Sequence, residues 1–218
     1  MTIKRLITHG CSFAYGEELV SPSSSSWPAL VAEHLKVDLL NLAKPAYSND
    51  SIVSDLIATD LNREHYDDLV IVGWTSYLRL EFGDDDSRFT IGPNVRQFGH
   101  RREILDLVLK YANDKWLYRR WLNQIVLLQE YLKSKQIKYL FFNAFDNQTK
   151  NIEYKNIPQF KTLFDKIDTS RFVGWPDQGM VEWAYPSPVG LRGHPLELGH
   201  EKTADYLLKS LRTIYDLG

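Results

Sequence analysis

The sequence predicts an α/β fold, a three-layer α/β/α sandwich around a mainly parallel sheet, on three observations. Short apolar runs alternate along the chain with stretches of helical period. The run LVIVGW at 69–74 is continuously apolar, as in a strand buried on both faces of a parallel sheet. IKYLFFNAF at 137–145 reads the same way. Strands that alternate with helices pair in parallel and are covered on both faces.

Residues 3–8 form the first strand, which runs into a turn bracketed by Gly10 and Gly16. SPSSSSWPALVAEHL reads as a polar loop whose last serines cap a helix, with Pro28 in its first turn and Leu30, Val31 and Leu35 on one face. VDLLNLA is a short second strand, and KPAYSND is a turn-rich connection to a helix carrying Ile52, Leu56 and Ile57. After the third strand at 68–74, residues 82–103 are polar and glycine-containing, an excursion from the sheet. Its acidic run Asp84 to Asp86 is a solvated loop in the simplest reading, since a cation would want further ligands. A long helical pattern covers 104–134, broken near Asn113, and the fourth strand follows. Residues 147–193 are irregular, and HPLELGHEKTADYLLKSLRTIY closes as a loop into an amphipathic helix.

At 218 residues, one domain spanning 1–218 with an insertion at 82–103 is expected. A net charge of -2 gives no broad basic field, which argues against nucleic acid as a partner. The lone cysteine, Cys11, rules out an internal disulfide and a multi-thiolate zinc site, and it fits a reducing compartment. With no long apolar run and no signal-peptide pattern at the start, the expected location is cytoplasmic and no membrane partner is foreseen.

Ligands of such sheets bind at the carboxyl ends of the strands. Three strand ends, at Ser12, at Ala46 to Asn49 and at Thr75, would therefore share one rim with the loop at His194. A serine hydroxyl is a poor nucleophile unless a base and oxyanion donors stand nearby.

GCSFAYG, NLAKPAYSN, LVIVGWTS and GHPLELGHEKTADYL, in that order, resemble the four blocks of the SGNH (GDSL-type) hydrolase superfamily. Together they are similar to a subset common in bacteriophage and bacterial proteins of unassigned substrate. The resemblance implies the flavodoxin-like sandwich of those hydrolases, with Ser12 as nucleophile and one oxyanion donor and His194 as general base. It implies hydrolysis of a small ester, such as an O-acetyl group on a carbohydrate, with no metal or organic cofactor. Ala46 matches the glycine whose N–H binds the oxyanion, and Thr75 the oxyanion asparagine, with Ser76 as a substitute.

One departure is larger. The superfamily places an aspartate two or three residues before its histidine, where this chain has Leu191 and Arg192. Asp177 and Glu182, just upstream, are the candidates to orient His194 in its place. Asn49 and Arg79 are candidates for substrate positioning, although an internal Arg79–Glu81 ion pair is the simpler account of the latter. His9 and His200 are expected to be structural, Cys11 to be a packed small residue, and Trp27 and Trp74 to be core. The absent aspartate also keeps open a degenerate binding or assembly protein, and acyl transfer is the third alternative.

Overall fold

In a computed structural model, the structure describes residues 3–59, 61, 67–83, 89–92, 108, 110–111, 113–145, 154, 156–176 and 178–216. Four parallel strands, β1 (Arg5–His9), β2 (Asp38–Asn41), β3 (Asp68–Trp74) and β6 (Lys138–Asn143), make one sheet in the order β2-β1-β3-β6. All four are the strands expected from their apolar runs. The register of β1 on β3 places Arg5 opposite Asp68, and the two meet side by side through Nε and Nη2 at 2.8 Å each. That fork fixes the alignment at the end of the sheet away from the site.

Alternate side chains of each strand feed two cores. Ile7, Val70, Val72, Trp74, Tyr139 and Phe141 pack with α4 (Asn49–Ala58) and α5 (Asp114–Ser134) on one face. Leu6, Leu69, Ile71, Leu140 and Phe142 pack on the other with α3 (Trp27–Leu35) and α8 (Glu197–Tyr215). The three-layer prediction therefore holds. Each fully buried large apolar side chain stabilises this arrangement by about 1.5–3 kcal/mol. No helix among the described residues is long and apolar enough to cross a membrane.

The excursion begins as a two-stranded antiparallel ribbon, β4 (Leu80–Phe82) against β5 (Phe89–Ile91). Asp84 to Asp86 lie outside the described residues. The break near Asn113 is a helix start, where the Asn113 side chain accepts the Trp116 N–H at 2.9 Å.

Two local readings change. The serine run holds a short helix, α2 (Pro22–Ser25), and Ser26 makes no side-chain cap for α3. His200 of α8 does that work instead, its Nδ1 accepting the Trp27 N–H at 3.0 Å. The segment 147–193 carries α6 (Pro158–Phe164), a 3₁₀ turn at Thr169–Arg171 and α7 (Met180–Ala184), elements too short to show a hydrophobic period. Phe172 forms a single parallel bridge to Phe141 at the edge of the sheet.

Candidate active site

The turn after β1 is held by close backbone packing. A Cβ on Gly10 would come within 2.9 Å of the Gly73 carbonyl oxygen, so only glycine lets β1 turn this tightly against β3. Its N–H donates to His9 Nδ1 at 2.8 Å, and His9 Nε2 faces Asp55 at 3.2 Å, so His9 is structural as expected. Ser12 opens α1 (Ser12–Tyr15), and the Ala14 and Tyr15 N–H groups return to the Cys11 carbonyl at 2.9 Å. Ser12 is 3% exposed, and its Oγ donates only a long contact of 4.0 Å to Cys11 Sγ. Ser12 and His194 make no hydrogen bond to each other among the described contacts; such bonds often tighten only when substrate is bound. Cys11 itself is fully buried in the core.

His194 arrives on a tight loop. Val189 and Pro195 form an antiparallel bridge, the Gly190 N–H donates to the His194 carbonyl at 2.8 Å, and the Gly193 N–H donates to the Gly190 carbonyl at 3.0 Å. Gly193 sits at φ +84, a conformation that suits glycine. Leu191 and Arg192 point outward, Leu191 fully exposed.

The carboxylate that meets His194 is Glu18. Its Oε2 lies 2.7 Å from His194 Nδ1 and also accepts the His194 N–H at 3.3 Å. Both of its oxygens accept the Arg192 N–H, at 3.0 and 3.1 Å. Desolvation pushes the Glu18 carboxyl up, but the Arg192 N–H, the His194 ring and the His194 N–H outweigh it and hold the group below the usual carboxylate range. Glu18 has φ +72, a left-handed backbone that a non-glycine residue holds at a cost of about 1–3 kcal/mol unless its surroundings impose it.

Of the two upstream acids, Glu182 accepts the Gly179 N–H at 2.8 Å at the start of α7. Asp177 lies outside the described residues. Sequence reasoning passed over Glu18, although a weak signal existed: Glu17 and Glu18 follow the serine turn so closely that they must lie near its rim.

Glu17 approaches the other ring nitrogen, with Oε2 3.5 Å from His194 Nε2, while Arg192 Nη1 holds its Oε1 at 2.9 Å. His194 is thus flanked by two carboxylates, one at each nitrogen.

The loops after β2 and β3 lie on either side of the Ser12 turn because β1 is the strand between them. Ala46 has φ +64, which explains why a glycine would be natural at this position. Thr75 is fully buried; its N–H donates to Asn49 Oδ1 at 3.0 Å, and Asn49 Nδ2 donates back to the Thr75 carbonyl at 3.0 Å. Asn49 is 1% exposed, so its amide clamps the β3 loop.

Arg79 and Glu81 do not form the expected pair. Glu81 turns to the Ser48 and Ser51 hydroxyls at the N-terminus of α4, where a negative charge is favoured. Arg79 Nη1 donates to the Tyr47 carbonyl at 3.0 Å, and its guanidinium lies 5.0 Å over the Phe145 ring. Trp27 and Trp74 are fully buried in the core. No cluster of metal-ligating side chains is found among the described residues.

A family model described as "Family of unknown function (DUF6071)" matches residues 19–210. No curated protein matches the sequence. Solved structures share the fold. A protein assigned to the lipolytic G-D-S-L family, from Desulfitobacterium hafniense DCB-2, superposes with a TM-score of 0.56 at 13% identity, over 95% of this chain and 99% of its own. The psychrotrophic esterase EstA from Pseudoalteromonas sp. gives 0.57 at 12%, over 98% and 99%. A two-domain esterase active on acetylated mannans gives 0.53 at 14%, over 98% of this chain and 50% of its own. The SGNH-type hydrolase fold is therefore the fold of this chain.

Proposed function

The chain belongs to that family of unknown function, DUF6071, and we propose that it is a serine ester hydrolase built on Ser12, His194 and Glu18. The observation that carries this reading is the 2.7 Å contact between Glu18 Oε2 and His194 Nδ1. A carboxylate can only accept, so this contact favours the tautomer with the proton on Nδ1 and the lone pair on Nε2. Nε2 is the nitrogen that acts as base once Glu17 Oε2, 3.5 Å away, gives way to Ser12.

His194 Nε2 takes the Ser12 Oγ proton as Oγ bonds to the ester carbonyl carbon, and the carbonyl π pair moves to oxygen. The resulting oxyanion is met by the Ser12 and Ala46 N–H groups and the Thr75 hydroxyl. Collapse breaks the bond to the alcohol oxygen, which leaves with the Nε2 proton. Water then gives a proton to Nε2 as its oxygen bonds to the acyl carbon, and collapse breaks the acyl–Oγ bond, with Oγ taking the Nε2 proton as the acid leaves. Glu18 stays ionised throughout and stabilises the imidazolium.

An O-acetylated carbohydrate is the proposed substrate type, supported by fold neighbours such as the esterase active on acetylated mannans. A single buried cysteine supports a reducing, cytoplasmic location as part of the reading.

Labelling with a fluorophosphonate probe, read by mass spectrometry, tests it. Modification of Ser12 in the wild type that vanishes in Ser12→Ala and falls steeply in His194→Ala is the expected result. An unlabelled but folded wild-type protein would favour the second reading, a binding protein that has kept the fold. The contacts of Ser12 Oγ to Cys11 and of His194 Nε2 to Glu17 are the observations in its favour.

A further inference from the structure

We propose that Arg79 recognises an anionic group, a carboxylate or a phosphate, on the ester that Ser12 attacks; this rests on the hydrolase reading. Arg79 stands between two loops of the site. Its Nη1 donates to the carbonyl of Tyr47, the residue after the oxyanion candidate Ala46. Its guanidinium lies on Phe145, whose ring is 4.6 Å from that of Phe13, and Phe13 is 5.4 Å from the His194 ring. Phe13 directly follows Ser12, so one row of rings leads from the cation to the reacting groups.

Four described acids of this region are already engaged. Glu18 is held by His194, Glu17 by Arg192, Asp50 by Arg120, and Glu81 by two serines. Among the described residues Arg79 has no carboxylate partner, and one of its five N–H donors is used. The stem is held in place: a Cβ on Gly92 would come within 3.3 Å of Arg79 Cγ. A half-buried, pre-oriented guanidinium with a free fork is suited to bidentate contact with a planar carboxylate or a phosphate.

The test compares kcat/KM on matched esters at fixed ionic strength. O-acetylated galacturonic acid is paired with its uncharged carboxamide, and acetylated glycerol 3-phosphate with acetylated glycerol. One anionic ester of the two pairs should be preferred over its neutral partner by about tenfold or more. Arg79→Gln should collapse that ratio to near one, and Arg79→Lys should restore part of it. The pair that shows the preference identifies carboxylate or phosphate as the natural group. Turnover of neutral and anionic esters alike, or a preference that survives Arg79→Gln, would overturn the anion site while leaving the hydrolase reading intact.

If the wild type hydrolyses none of the four, calorimetric binding of galacturonic acid and glycerol 3-phosphate separates the two claims. Binding lost in Arg79→Gln keeps the anion site and discards the hydrolase. Binding that is absent or independent of Arg79 overturns the anion site.

Discussion

A Cβ placed on Gly190 would stand 2.5 Å from the carboxyl carbon of Glu18, so the missing side chain of one residue is the seat of the other's charge. The first of these residues belongs to the loop that carries His194, and the second follows the serine turn.

That relationship predicts the behaviour of Gly190→Ala. The group it meets is the far end of a flexible side chain, so stability should fall by less than about 1 kcal/mol, as for substitutions without a core defect. Turnover should fall more, by about 10- to 100-fold, because a small misplacement of a positioning group is amplified in rate. Equal losses in urea unfolding and in kcat would count against this view of the loop.

Glu18→Gln keeps the length and shape of the side chain but removes its charge and its preference for a proton on Nδ1. By analogy with triads that lose their acid, kcat should drop by about 10²- to 10⁴-fold with KM little changed. Steady-state kinetics on a chromogenic acetate ester is the measurement. An unchanged kcat would remove Glu18 from the mechanism.

His200 is fully buried, and desolvation pushes its imidazole down to about 4. Its neutral ring accepts the Trp27 N–H. Between about pH 6.5 and 4 the unfolded chain binds this proton and the folded chain does not. Stability should therefore decline as pH falls through that window, by at most about 3 kcal/mol from this group. Urea midpoints measured from pH 7 to 4 should flatten in His200→Gln relative to wild type.

Ala46 tests the left-handed turn. Ala46→Gly should leave the melting temperature nearly unchanged, because relief of the backbone offsets the greater freedom of the unfolded chain, each about 1 kcal/mol. Ala46→Val should destabilise by about 1–3 kcal/mol, since a β-branched residue tolerates that region poorly. Calorimetric melting of the two variants decides it.

Much of the fold could be read from local sequence. The apolar runs at β1, β2, β3 and β6 are each strong enough to announce a strand, and the break at Asn113 is signalled by a side chain suited to capping. Ser12 and His194 could be nominated because each lies in a short block whose order along the chain resembles a known superfamily. Glu18 was not, because its partner lies 176 residues away and no local pattern couples the two. The same holds for His200, which caps α3 across 173 residues and displaces the serine that sequence alone would assign to that task. Arg79 and Glu81 were misread for a different reason. Their spacing brings them to one side of a strand, but the hydroxyls at the start of α4 compete for the acid, and only the folded chain puts those hydroxyls within reach.

The 176-residue span between Glu18 and His194 also has a consequence in time. Synthesis runs from the N-terminus, and domains gather structure as they emerge. Ser12, Glu17 and Glu18 leave the ribosome well before His194 does. Until His194 has emerged, the nascent protein carries Ser12 without the proposed base, and so on the proposed mechanism cannot attack any ester it meets. On that mechanism, competence waits until the loop that carries His194 docks beside the serine turn.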